Sequence, residues 1–212
     1  MKSFKDIREA RGDTAVFTFG RFNPPTVGHA KLIEKLKNST SGGFEPLVFM
    51  SHSQDSKKNP LDYKTKWNFM NKFFGKKVGI VNTKARQVFE IATALQDQGY
   101  SKVRMVVGSD RIKEFEMLLN KYNGVKGKHG YYKFDSINII SAGERDPDSD
   151  DVSGMSASKM RAAASGNDFN QFTKGLPKNF SNKDSKDLFN SVRSGMGLKE
   201  ETEFYRHVQL ES

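Results

Sequence analysis

Short runs of β-branched and aromatic residues recur along the chain, and they alternate with stretches in which apolar residues follow a helical spacing. The runs have the length and composition of buried strands. We predict five strands, at residues 14–19, 46–50, 78–81, 103–107 and 136–140. The helices predicted between them lie at about 27–37, 62–74 and 85–98, with a further one that ends near 121. In the second of these helices we expect Trp67, Met70, Phe73 and Phe74 to form the apolar side.

After the fifth run the strand pattern stops, and only short helical patterns follow, at 156–164, 167–173 and 184–193. Strands that alternate with helices imply crossover connections and a mainly parallel sheet. We therefore predict an α/β fold with a five-stranded, mainly parallel sheet, helices on both faces and a helical C-terminal segment. We assign residues 1–194 to one domain and residues 195–212 to a C-terminal tail.

In such sheets a ligand binds beyond the carboxyl ends of the strands, where the strand order reverses. The loops expected at that edge are 20–29, 51–61, 82–85, 108–111 and 141–158. The first loop leads into a helix, so backbone N–H groups and the positive end of the helix dipole face the edge. Gly20 allows close approach of the backbone, Gly28 leaves room for a phosphate, and His29 can donate a hydrogen bond to it. The chain contains no P-loop pattern.

Composition narrows the function classes. The 212 residues include no cysteine, which excludes thiolate nucleophiles, cysteine-based zinc sites and disulfides. No stretch approaches the roughly 20 apolar residues of a membrane helix, and the first residues lack an apolar signal core. We therefore expect a soluble, cytoplasmic protein without a membrane partner.

The charge is strongly basic, with 35 Lys and Arg against 25 Asp and Glu, a net +10. This balance favours polyanionic partners, although for any single lysine we expect a solvated position. Residues 144–151 hold five acids and one arginine, a local −4 that leaves +14 elsewhere. We interpret this acidic segment as a solvated loop, with a lid that closes on nucleotide as the second hypothesis.

Two motifs resemble those of the HxGH-type nucleotidyltransferases, which include nicotinamide-nucleotide and phosphopantetheine adenylyltransferases, FAD synthetases and cytidylyltransferases. Their Gly-x-Phe-x-Pro turn followed by (His/Thr)-x-Gly-His is matched by Gly20 to Pro24 and Thr26 to His29. Their late Ser/Thr-rich turn with an arginine at a helix start is matched by Ser156, Ser158 and Arg161. The resemblance covers roughly residues 14–194 and implies a Rossmann-like version of the predicted fold.

The resemblance also implies a reaction, in which a phosphate of an acceptor attacks the α-phosphorus of a nucleoside triphosphate and releases pyrophosphate. His29, with Thr26 on the same anion, would bind the α- and β-phosphates, and Arg161 would bind the β- and γ-phosphates; these three are the predicted catalytic residues. The predicted nucleotide-binding residues are Phe19, Gly20, Arg21, Gly28, Gly108, Asp110, Ser156 and Ser158. The predicted acceptor-binding residues are His52 and Lys57. One Mg²⁺ is expected, held mostly by phosphates and water, and no residue is predicted to ligate it.

Several functions remain open at this stage. The second loop and residues 161–177 resemble archaeal-type nicotinamide-nucleotide enzymes, which favours adenylyl transfer from ATP to nicotinamide mononucleotide. Phosphopantetheine adenylylation and cytidylyl transfer are the rivals, the latter because residues 152–158 partly match an Arg-Thr-x-Gly-Ile-Ser-Thr segment. The basic charge alone supports a non-catalytic module that binds nucleotide or nucleic acid, but a nucleic-acid partner is not favoured. A homo-oligomer is left open.

Overall fold

The computed structural model of the chain describes residues 13–40, 45–128, 130–143, 155–178 and 180–198. Within them, the five strands are β1 (Thr14–Gly20), β2 (Leu47–Met50), β3 (Gly79–Ile80), β4 (Lys102–Val107) and β5 (Ser136–Ser141). The helices are α1 (Ala30–Asn38), α2 (Tyr63–Phe74), α3 (Val88–Asp97), α4 (Ile112–Lys121), α5 (Ala157–Ser165), α6 (Phe169–Thr173) and α7 (Asn182–Gly195). The acidic segment 144–151, with its lid hypothesis, and residues 199–212 of the predicted tail lie outside the described residues.

The sheet confirms the predicted α/β, Rossmann-like fold. Its strand order is β3-β2-β1-β4-β5, and every neighbouring pair is parallel. The chain first builds outward from β1 through β2 to β3, and then returns to the other side of β1 for β4 and β5. The strand order therefore reverses between β1 and β4, and the carboxyl ends of these two strands mark the expected ligand edge.

Alternating residues of β1 show that helices cover both faces of the sheet. Ala15 and Phe17 belong to a buried cluster with apolar side chains of α3 and α4. Val16 belongs to a second buried cluster, which contains side chains of α1 and α2. Both faces are apolar because a parallel sheet between two helical layers has no solvent-exposed side.

The helical C-terminal segment packs against the loops at the ligand edge. Helices α5, α6 and α7 share a third apolar cluster with Leu61 and Phe69. The Val27 N–H, in the first loop, donates to the Gly175 carbonyl at 2.9 Å. At Gly195 of α7, an added Cβ would lie 2.0 Å from the carbonyl oxygen of Pro60. The segment thus supports the first and second loops from the side.

This close approach gives a stability prediction. We expect Gly195→Ala to lower the free energy of unfolding by about 1–3 kcal/mol, because the methyl group must push α7 away from the Pro60 backbone. Gly166→Ala is the matched control, since its Cβ would meet nothing closer than the Ala162 carbonyl at 3.6 Å. Urea unfolding of both variants measures the difference, and equal midpoints would show that the packing of α7 adapts without loss.

The helix starts differ from the predicted ones by a few residues, and for three of them the structure gives a local reason. The helix expected from residue 27 begins as a 3-10 turn, Val27–His29, and becomes α-helical at Ala30. The one expected from residue 85 begins at Val88, because the Ala85 N–H donates to the Thr83 hydroxyl outside the helix. Asp62 precedes α2 as its cap and accepts from the Thr65 N–H. Side-chain partners for backbone N–H groups therefore shift these boundaries.

None of the described helices is long and apolar enough to span a bilayer.

Candidate active site

The first loop turns sharply as it leaves β1. Phe22 adopts a left-handed backbone conformation with φ of 46°, which is uncommon for an aromatic residue. Its ring is buried and lies 4.9 Å from the His29 ring, centroid to centroid. A Cβ at Gly20 would lie 2.9 Å from the Phe22 ring, so this position accepts little beyond glycine. The Gly-x-Phe motif thus packs an aromatic ring against the imidazole.

Thr26 fixes the orientation and tautomer of His29. The Thr26 backbone N–H donates to His29 Nδ1 at 3.0 Å, and the Thr26 hydroxyl lies 3.2 Å from the same nitrogen. Because a backbone N–H can only donate, Nδ1 is the acceptor, and the neutral imidazole carries its proton on Nε2. His29 is thereby prepared as a hydrogen-bond donor.

The structure buries Thr26 directly beside His29. Thr26 is only 1% exposed, and its hydroxyl packs against the imidazole of His29. The short hydroxyl side chain holds the ring from within the loop. The predicted contact of Thr26 with the bound anion stays a prediction.

Arg161 reaches the first loop from α5. Ser156 caps this helix by accepting the Lys159 N–H at 3.1 Å, which places Arg161 about one turn into the helix. Arg161 Nη1 donates to the Asn23 carbonyl at 2.7 Å, and Nη2 donates to Ser158 Oγ at 3.0 Å. Two segments 138 residues apart in the chain are therefore in direct contact, as the two motifs predicted.

Arg161 is influenced by one positive and one negative neighbour. Burial lowers the pKa of Arg161, nearby Arg21 lowers it further, and Asp55 acts in the opposite direction. An arginine stays protonated in spite of such shifts. The pKa of Asp55 is lowered to about 2, first by a hydrogen bond from the Lys58 N–H and then by the Asn59 side chain. Arg161 thus lies near a second guanidinium and near one carboxylate that already accepts hydrogen bonds within its own turn, an arrangement that suits an anionic ligand.

Asn23 joins the parts of this site and was not predicted from the sequence. Its amide donates to the Leu61 carbonyl and accepts from the Leu61 N–H, both at 3.0 Å, and its own carbonyl accepts from Arg161. The side chain is 2% exposed. Asn23 therefore ties the first loop to the second loop and to α5. It occupies a variable position of the turn motif. The only indication of its role in the sequence is a side-chain amide placed between an aromatic residue and a proline.

We expect Asn23→Ala to lower the free energy of unfolding by about 2–4 kcal/mol, because it leaves a buried N–H and a buried carbonyl of Leu61 without partners. Urea unfolding measures this loss. Asn68→Ala, at an exposed position of α2, is the matched control. If both variants unfold at the same urea concentration, the two hydrogen bonds to Leu61 contribute nothing to the stability of the fold.

The two predicted acceptor residues lie in the second loop. His52 stacks on Tyr63 with a centroid distance of 3.8 Å, and its Nε2 donates to the Thr83 carbonyl at 2.9 Å. Burial is the main cause that lowers the pKa of His52, so the ring is neutral at pH 7. His52 thus joins the loops after β2 and β3. Lys57 lies in an exposed turn, and its N–H donates to the Asp55 carboxylate.

The remaining predicted residues lie either after β4 or in β1 and the first loop. Gly108 and Asp110 follow β4, directly across the strand reversal from Gly20, and Asp110 is exposed. Gly28 lies in the 3-10 turn that presents His29. Phe19 is half-buried and packs against the core beside α3 and α4, so its side chain serves packing. The structure therefore brings the first loop, Ser158 and Arg161 together, while Asp110, His52 and Lys57 lie in the loops around them.

Comparison with known proteins gives a family match. A family model described as cytidylyltransferase-like matches residues 17–163, which is 147 of the 212 residues. The match begins within β1, includes the whole first loop, and ends after Arg161. No curated protein matches the chain.

Proposed function

The chain belongs to the cytidylyltransferase-like family and is a nucleotidyltransferase that uses a nucleoside triphosphate, and we propose that it transfers AMP from ATP to nicotinamide mononucleotide, giving NAD and pyrophosphate. The observation that carries the site is the contact of Arg161 with the first loop, which gathers the imidazole and a guanidinium at the strand reversal. The choice of acceptor rests on the likeness of the second loop and of residues 161–177 to nicotinamide-nucleotide enzymes.

In the proposed reaction, an oxygen of the acceptor phosphate bonds to the α-phosphorus, and the bond from that phosphorus to the bridging α–β oxygen breaks. Pyrophosphate leaves with the bonding electron pair. The protein contributes position and charge rather than covalent chemistry. The Nε2–H of His29 donates to the α- and β-phosphate oxygens, where charge gathers as the bond breaks. A neutral imidazole is sufficient for this role.

Arg161 serves the leaving group. A guanidinium has five N–H donors in one plane, and the bonds to Asn23 and Ser158 use two of them. We propose that the other donors hold the β- and γ-phosphates, with Ser156 and Ser158 at the same helix start. Arg21 adds a second positive charge on that side of the site.

Mg²⁺ enters this proposal as part of the nucleotide substrate. The side chains gathered at the site are imidazole, guanidinium and hydroxyl groups, with one nearby carboxylate, Asp55, that already accepts bonds within its own turn, whereas Mg²⁺ prefers carboxylate, phosphate and water oxygens. The described residues contain no group of three His, Cys, Asp or Glu side chains that could hold a metal ion. Ligation by phosphate oxygens and water fits this donor set.

Cytidylyl transfer to a sugar or polyol phosphate is the second candidate, favoured by the family description itself. The same His29 and Arg161 geometry would serve it, since both reactions act on the triphosphate and differ in the base and in the acceptor.

The test pairs each of the four nucleoside triphosphates with a panel of phosphorylated acceptors and follows pyrophosphate release. We expect turnover with ATP and nicotinamide mononucleotide. Turnover with CTP and a polyol phosphate instead would establish the second candidate. If no pair reacts, a binding module becomes the better account, and a salt titration with oligonucleotides then tests for phosphate-driven binding, which weakens steeply with salt.

A further inference from the structure

A lysine lies in the interior beneath the second loop. Lys66 of α2 has a relative exposure of 0%, and Phe69, Met70 and Phe74 of the same helix are also buried. It therefore occupies the core-facing side of an amphipathic helix, where an apolar residue is the usual choice.

The ammonium of Lys66 bonds to the point where the second loop begins. Its Nζ donates to the Ser51 carbonyl at 2.5 Å, its one hydrogen-bond partner among the described residues. Ser51 directly follows β2, and its N–H donates to the Gly20 carbonyl at the end of β1, at 2.9 Å. Within the same described part of the chain, the buried Ser51 hydroxyl has no partner. Lys66 is thus attached to the backbone where β1, β2 and the second loop meet.

A charge in this position opposes folding. Burial lowers the pKa of Lys66 to about 8, while the carboxylate of Asp62 partly offsets the effect. The side chain is still mainly protonated at pH 7, so the fold keeps a desolvated cation with a single carbonyl partner. A methionine would fill similar space without this desolvation, which indicates that the ammonium serves something other than stability.

We propose that Lys66 is a positioning residue for the acceptor: its ammonium fixes the Ser51 carbonyl and so sets the direction in which the second loop leaves β2. This inference rests on the proposed function, in which that loop, with His52 and Lys57, receives the acceptor. Lys66 is buried and touches no substrate itself. The side-chain bond of Lys66 goes to Ser51 and to neither His29 nor Arg161, so the proposal assigns its effect to the acceptor side.

The proposal predicts a pH dependence with a defined origin. Three other titratable groups belong to this region: Asp62, His52 and Tyr63. Although burial raises the pKa of Asp62, its bonds to Thr65 hold it below the usual value, and the carboxylate stays ionised. Burial lowers the pKa of His52 and raises that of Tyr63, so neither gains or loses charge between pH 7 and 9. Of these four side chains, Lys66 is therefore the one whose charge changes between pH 7 and 9.

The test compares Lys66→Met with Lys64→Met, which removes an exposed lysine from the same helix. With ATP and nicotinamide mononucleotide at pH 7, we expect Lys66→Met to raise KM for the acceptor by about 10- to 100-fold, the range for loss of a hydrogen bond to a charged group. KM for ATP should change by less than about twofold. From pH 7 to 9, wild type and Lys64→Met should lose acceptor affinity, whereas Lys66→Met should not. Equal increases in both KM values, or a pH profile shared by both variants, would overturn the proposal.

Two measurements without turnover separate this proposal from the proposed function. In urea, Lys66→Met should be at least as stable as wild type at pH 7, because the desolvated charge is gone; a less stable variant would indicate a merely structural lysine. Hydrogen exchange of residues 51–61 should be faster in Lys66→Met than in Lys64→Met at the same pH. Unchanged exchange overturns the role of Lys66 even in an active enzyme. Faster exchange in a protein that turns over no acceptor would refute the proposed function and leave the loop-positioning role standing.

Discussion

Replacement of His29 by alanine should lower kcat/KM for pyrophosphate release by about 10²- to 10³-fold, the loss found when one preorganised donor to a developing charge is removed. The structure gives the reason for so large an effect. The ring is held between the Phe22 side chain and the Thr26 backbone, and the bond to Nδ1 leaves Nε2 as the proton-bearing nitrogen. The donor therefore needs no reorganisation during the reaction. Initial rates measured over a range of ATP concentrations give the value.

Lys31→Ala is the control for this variant, because Lys31 is an exposed residue of α1, two positions after His29. It should keep kcat/KM within about twofold. If His29→Ala retained wild-type rates, His29 would be an ordinary packed histidine, and the catalytic assignment would have to be abandoned.

Arg161→Lys should lower kcat/KM by about 10- to 100-fold, mainly through a higher KM for the nucleotide. A lysine keeps the charge but has no planar fork, so it cannot hold the Asn23 carbonyl and the Ser158 hydroxyl and still offer paired donors to phosphate. Arg161→Met removes the charge as well and should lose more. Titration of ATP in steady-state assays measures both effects.

Arg104→Lys is matched to this substitution, because Arg104 Nη1 also donates to a backbone carbonyl, that of Ser39, at 2.7 Å. Ser39 follows α1, away from the ligand edge, so this variant should leave KM for ATP unchanged within about twofold. Equal losses in Arg104→Lys and Arg161→Lys would mean that Arg161 stabilises the fold and does not bind phosphate.

The sheet could be predicted from sequence because strands such as β2 are buried on both sides. All four residues of β2 are buried, and such continuous apolar runs have few alternatives. The helix boundaries were less accurate, because α3 begins only after backbone N–H groups have bonded to side chains such as Thr83. That information depends on side-chain geometry, which apolar spacing does not contain.

Within the site, the residues that match motifs could be predicted, whereas those that connect the motifs could not. Asn23 acquires its role from Leu61, 38 residues away, and from Arg161. Lys66 was covered by the expectation that single lysines are solvated, and Trp67 beside it was assigned to the apolar side. The structure buries Lys66 fully, while the predicted apolar side is confirmed, because Trp67, Met70, Phe73 and Phe74 all pack in one cluster. Contacts made across the fold set these positions.

The central claim is that the first loop and the start of α5 bind a single triphosphate. A crystal structure with a non-hydrolysable ATP analogue measures it directly, through the distances from the phosphate oxygens to His29 Nε2 and to the Arg161 guanidinium. The account predicts hydrogen bonds of about 2.7–3.2 Å from both side chains to the same triphosphate. A triphosphate bound to one of them, with the other turned toward a separate cavity, would contradict it.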